Sequence, residues 1–167
     1  MSDIPGSVYD LEMTPITRAL SADEPILRIS NSAAATDYFY LLELWFSAVG
    51  VDGLNEPNAL QFVIFNTAGS GGANAPGWKP RNPNAGAAGQ IAVQVDNNGW
   101  TTQPVVDRKI GAPRPFNLGQ GFYWSARGTA PLMLGPFTPT GDIFGFYLTD
   151  SVSASMTFHG GATISVP

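Results

Sequence analysis

Residues 37–50 read DYFYLLELWFSAVG. The segment is long enough for a helix and carries three leucines, so the fold class turns on whether it is a helix or a strand. Its aromatic density favours a strand. Gly50 and then Asp52-Gly53 follow at once, which is how a strand run ends rather than how a helix continues. As a strand it puts Tyr38, Tyr40, Leu42, Leu44, Phe46 and Ala48 on one face. Phe39, Leu41, Glu43, Trp45, Ser47 and Val49 form the other, which is also mostly apolar. A strand apolar on both faces needs cover on both. In a two-layer sandwich the second cover is expected from a loop or a neighbouring subunit.

Outward from this segment, the chain is a series of short alternating runs punctuated by 14 prolines and 19 glycines. LQFVIFN at 60–66 aligns Leu60, Phe62 and Ile64. QIAVQVD at 90–96 aligns Ile91, Val93 and Val95. GFYWSAR at 121–127 aligns Phe122, Trp124 and Ala126 against Tyr123, Ser125 and Arg127. IFGFYLTD at 143–150 aligns Phe144, Phe146 and Leu148. ASMTFHG aligns Met156 and Phe158 against Ser155, Thr157 and His159, and ATISV at 162–166 continues the rhythm. Such alternation predicts half-buried strands. Two more are expected at 26–30 and 104–110, Pro104 confining the start of the second to an edge or a strand end. DNNG at 96–99 predicts a hairpin turn. Many short strands between turn signals predict an all-β sandwich or barrel; the reading carried forward is a single-domain antiparallel β-sandwich over 1–167.

One stretch breaks the rhythm. NTAGSGGANAPGWKPRNPNAGAAGQ, residues 66–90, holds six glycines, six alanines, four asparagines and three prolines, and no Ile, Leu, Val or Phe. It is too long for a hairpin turn. Loops of this length in compact domains are functional or disordered. Trp78 stands in its middle, flanked by Lys79 and Arg81. Either Trp78 pins the loop onto its own sandwich, or it anchors an interface with Lys79 and Arg81 beside it. The expectation carried forward is a contact arm.

Composition narrows the function classes. Charged residues are only 13% of the chain, against about 25% in ordinary soluble proteins. So neutral a surface favours a chain that assembles. The net charge of −5 is uneven: residues 1–60 hold nine acids and two bases, and residues 61–167 four acids and six bases. Such asymmetry can steer one copy onto another. No dense basic stripe is present to neutralise phosphates, so nucleic acid is not an expected partner. No run approaches the roughly 18 apolar residues of a membrane span. The opening MSDIPGSVYDLEM is acidic and lacks the apolar core of a signal peptide, so no export signal is expected.

Motifs of chemistry are not recognisable. His159 is the only histidine, and on the strand reading it faces outward beside Ser155 and Thr157. AGSGG at 68–72 looks like a nucleophile elbow at Ser70, but Pro76 and Pro80 forbid the helix that must follow. No Gly-Lys-Ser/Thr closes a phosphate loop. Glu12, Glu24, Glu43 and Glu56 form no recognisable acid pair. DGLNE at 52–56 and DNNG at 96–99 offer oxygens without the spacing of a calcium loop. There is no cysteine. No catalytic residue, cofactor or metal is therefore assigned. The aromatics are the better lead. Trp78, Trp100 and Tyr123, in or beside loops or outward on a strand, suit a protein interface or, as the alternative, sugar stacking in a lectin-like module. Trp45, on one face of the 37–50 strand, joins the interface set.

The second half, GFYWSARGTAPLMLGPFTPTGDIFGFYLTDSVSASMTFHGGATISV, resembles small β-sandwich structural proteins of tailed-bacteriophage virions, among them capsid decoration or cement proteins. The likeness lies in neutral Thr/Ser/Ala/Gly-rich strands, a PFTPTGD connector and a terminal pair of strands; it carries no motif from which a functional residue transfers. The resemblance implies a jelly-roll-like sandwich, a homotrimer, an N-terminal arm over 1–20, and a non-enzymatic role clamping major capsid or other virion proteins. It also implies localisation in a virion assembled in the host cytoplasm.

Overall fold

The structure is a computed structural model that describes residues 6–31, 38–49, 56–71, 73–74, 77–86, 91–95, 100–126, 131–135 and 143–167. Among these residues thirteen strands form. The first seven are β1 (Ser7–Glu12), β2 (Ile16–Leu20), β3 (Pro25–Asn31), β4 (Phe39–Val49), β5 (Pro57–Phe65), β6 (Ala73–Asn74) and β7 (Lys79–Pro80). They are followed by β8 (Ile91–Val95), β9 (Val106–Asn117), β10 (Phe122–Ser125), β11 (Leu132–Leu134), β12 (Ile143–Leu148) and β13 (Val152–Val166).

Four antiparallel pairs nest inside one another: β1 with β13, β3 with β12, β4 with β10 and β5 with β9. The chain is one long hairpin, with arms β1-β3-β4-β5 and β9-β10-β12-β13, rolled into two sheets. This is a jelly roll, an all-β sandwich that buries one face of each sheet against the other. The front sheet runs β10-β4-β13-β1-β7, with β11 also on β4 and β2 also on β13. The back sheet runs β6-β8-β3-β12-β5-β9. The inward side chains are those that alternation selects: Leu60, Phe62, Ile64, Phe144, Phe146 and Leu148 from the back, and Phe46, Phe158 and Ile164 from the front. Phe46 stacks on Phe158 at 5.5 Å and meets Phe146 edge-on at 5.4 Å, so aromatic contacts join the two layers.

Segment 37–50 is a strand, with its faces redistributed. Thr163 lies opposite Glu43 but Ile164 opposite Leu41, so Leu42 is the extra residue of a β-bulge. A bulge reverses the alternation beyond it. The core therefore takes Phe39 and Leu41 before the bulge and Leu44, Phe46 and Ala48 after it. Glu43, Trp45, Ser47 and Val49 are left outside. The expected doubly apolar strand is thus corrected: the bulge gathers the core residues from both halves onto one face.

The N-terminal arm expected at 1–20 is sheet from Ser7 onward, with both β1 and β2 paired to β13. Leu11, Met13, Ile16 and Leu20 are buried, and burial of four apolar side chains holds this segment in the sandwich. The described residues of 66–90 also pair with neighbouring segments. The start of this loop pairs with residues 100–105: Ser70 bridges Thr102, and Asn66 N–H donates to the Val105 carbonyl at 2.9 Å. Together these segments cover the back sheet's outer face, where Val63, Phe65, Ile143 and Tyr147 form a second small core with Ala68 against it. The chain then adds β6 to the edge of the back sheet and β7 to the edge of the front sheet. On the opposite side, Arg114 lies over Phe62 and Trp124 at 5.1 and 6.0 Å, closing the gap between β9 and β10. Residues 52–55 of the DGLNE turn, the 96–99 hairpin turn and the whole PFTPTGD connector, 136–142, fall outside the described residues.

Candidate functional site

Register places a row of polar residues across the front sheet. Lys79 on β7 lies opposite Asp10 on β1, Asp10 opposite Thr163 on β13, and Thr163 opposite Glu43 on β4. The bulge at Leu42 puts Glu43 in this row; without it Leu42 would face Thr163. Arg81, just past β7, turns back onto Asp10. Its Nε donates to Asp10 Oδ2 at 2.7 Å and its Nη2 to Oδ1 at 2.8 Å. The Thr163 hydroxyl donates to Asp10 Oδ1 at 2.8 Å, and its oxygen lies 3.3 Å from Glu43 Oε2. Arg81 Nη2 is 3.8 Å from Glu43 Oε2. The Arg81 hydrogen bonds hold the Asp10 carboxyl below its ordinary range against a weaker opposing effect of burial, and Asp10 in turn raises Arg81. The Asp10 carboxylate is thereby ionised and fixed in place at neutral pH.

The neighbouring row is Glu12, Gly161, Trp45 and Tyr123. The Trp45 indole lies against Gly161: a Cβ there would collide with Trp45 Nε1 and Cε2. Glycine in a strand admits such close approach of a neighbouring ring. The indole reaches over β13 toward β1, and the outer face there is hollowed into an open cleft of about 720 Å³. Asp10, Glu12, Glu43, Trp45, Lys79 and Arg81 are among the residues that line it. On the other side of β4 the same face turns apolar. Tyr123 is 63% exposed, and Met133, opposite Tyr40 on β11, is 47% exposed. Tyr38 packs edge-on against Tyr40 at 5.5 Å.

Of the interface residues expected from sequence, Trp45, Lys79 and Arg81 come together in the cleft, and Tyr123 adjoins Trp45 on the next strand. The two loop tryptophans do not join them. Trp78 is half-buried, packs against the main core and donates its indole N–H to the Ile91 carbonyl at 3.1 Å. It pins its own loop between the sheets. Trp100, expected to be open to a partner, is corrected: it is 9% exposed and donates to the Pro25 carbonyl at 2.6 Å, with the Arg28 guanidinium over its ring at 5.7 Å. A buried indole N–H needs an acceptor, and the β3 backbone supplies one. His159 is half-buried on β13 opposite Ser47.

Sequence reasoning missed Asp10, Glu12, Glu43 and Thr163 as a group. Asp10 and Thr163 are 153 residues apart, joined only because the first and last main strands of a jelly roll are neighbours. The available signal was an ionisable or hydroxyl residue at an outward position of each strand. Among the described residues no group of three or more His, Cys, Asp or Glu is placed to hold a metal ion, and no helix is long and apolar enough to cross a membrane. Compared with known proteins, the chain matches no family model, no curated protein and no solved structure.

Proposed function

We propose that this chain is a non-enzymatic structural protein of a virion, a capsid decoration or cement protein that assembles with copies of itself and bridges neighbouring capsid subunits. The observation that carries the reading is the unequal treatment of the two outer faces. On the back sheet the chain itself buries Val63, Phe65, Ile143 and Tyr147 of β5 and β12, with Val105 and Val106 exposed only at the β9 edge, whereas the front sheet leaves Tyr123 and Met133 open on its face, Met133 opposite Tyr40. Exposed apolar side chains that cluster on one face mark interaction surfaces. The edges of the back sheet argue against strand-to-strand association. Its long edge strand, β9, carries Asp107, Arg108, Lys109, Pro113, Arg114 and Pro115, the charges and prolines that blunt an edge. Contact through a face is what remains. Jelly rolls serve both viral capsids and lectins, so the fold alone supports this reading only by analogy.

Light scattering at micromolar concentration tests it. The wild type is expected at a multiple of the 17.7 kDa chain, a trimer, and Tyr123→Glu at the single-chain mass with unchanged melting temperature. A single-chain mass for the wild type contradicts the reading.

A further inference from the structure

We infer that the cleft between β7 and Trp45 is a binding site for a neutral saccharide. It spans from β7 to Trp45 on β4 and so borders Tyr123 on β10, but the inference uses none of the contacts on which the assembly proposal rests. Its volume of about 720 Å³ is in the range of small-molecule sites, about 300–1,000 Å³. Three features select the ligand. The first is the Trp45 ring, partly exposed and seated against Gly161. An indole held against a strand keeps its orientation, and its face suits the C–H side of a pyranose. The second is the set of polar groups at fixed positions. Asp10 and Glu43 are oriented by Arg81 and Thr163 before any ligand arrives. Preorganised acceptors cost little further ordering on binding. Lys79 has no ion pair among the described residues and adds a mobile donor on the rim. Alternating acceptors and donors are what vicinal hydroxyls require.

The third feature is the charge balance. Three carboxylates (Asp10, Glu12, Glu43) face two cations (Lys79, Arg81) in one cleft, and Arg81 is already engaged by Asp10. An anion would meet net repulsion. A cation at Asp10 would have to compete with Arg81 for the same oxygens, and no three carboxylates among the described residues are placed to hold a metal ion. A neutral polyhydroxylated ligand meets neither obstacle.

The test is saturation-transfer NMR on the full chain with glucose, galactose, mannose, N-acetylglucosamine and their β-linked oligomers as probes. At least one probe is expected to receive saturation at its ring protons. Trp45→Ala should weaken that binding about tenfold or more, as loss of an aromatic platform does. Lys79→Ala changes an exposed side chain that supports nothing else, and should weaken binding severalfold with the melting temperature unmoved. Absence of transfer to every probe, or binding that both Trp45→Ala and Lys79→Ala leave intact, overturns the inference. Either result leaves the mass measurement of assembly unaffected.

Discussion

The two outer faces of this sandwich start from the same device and end differently. On the back sheet, Phe65 lies across Gly145 of the neighbouring strand, where a Cβ would strike its ring. On the front sheet, Trp45 lies across Gly161 in the same way. Phe65 is then buried to 2% exposure, under cover that includes Ala68. Trp45 is left at the wall of an open cleft. The difference lies in where the chain goes at the tip of the rolled hairpin: residues 66–70 and 100–105 fold onto the back sheet and leave the front one uncovered. An aromatic on a strand glycine serves stability when covered and is available for recognition when not.

The sharpest break of this comparison is truncation on the covered side. Phe65→Ala should destabilise the subunit by about 3–5 kcal/mol, because it opens a cavity that the surrounding strands cannot fill. Trp45→Ala is expected to cost less than half as much. Urea unfolding of both variants checks this, and equal losses would mean that the front face is structurally as closed as the back. Trp78→Ala ranks next, at about 2–3 kcal/mol, since it removes packing between the sheets and the hydrogen bond to Ile91. The melting temperature should fall while the assembled mass is retained. The reverse pattern would restore the loop as a contact arm.

The Asp10–Arg81 pair is a smaller effect. Its groups are about half exposed, so it contributes at most about 1 kcal/mol. Asp10 is held below its ordinary value of 3.8 in the folded chain. The contribution is therefore complete above that value and is lost as the pH falls through the depressed one. Urea midpoints of wild type and Asp10→Asn should differ at neutral pH and converge in strong acid. Smallest of all, Tyr123→Ala should leave stability within about 0.5 kcal/mol, as exposed substitutions do, whatever it does to assembly.

Much of the fold was legible because alternation is local. Phe62, Phe144, Phe146, Met156 and Phe158 all point inward as the period of two requires. What was not legible depended on insertions of one residue and on contacts between distant segments. The bulge at Leu42 is a single extra residue that reverses the faces of β4, and nothing in LLELW announces it. The second cover that the 37–50 sequence leads one to expect belongs instead to β5 and β12. Their outward residues Val63, Phe65, Ile143 and Tyr147 are as apolar as their inward ones, a signal present in LQFVIF and IFGFYL. The loop tryptophans were read as exposed because their neighbours are Gly, Asn and Pro. Both found backbone acceptors within the same chain, at Ile91 and Pro25. The cleft needed β1, β4, β7 and β13 to be placed side by side, and only the rolled topology does that.

Hydroxyl-radical footprinting across a dilution series tests the central claim most directly, namely that the front face meets a partner while the back face is closed by the chain itself. Tyr123 and Met133 should be oxidised in the dilute subunit and protected in the assembled form. Phe65 and Tyr147 should be protected at every concentration. Equal reactivity of Tyr123 and Met133 at all concentrations, or a change in protection confined to the back face, would contradict the account.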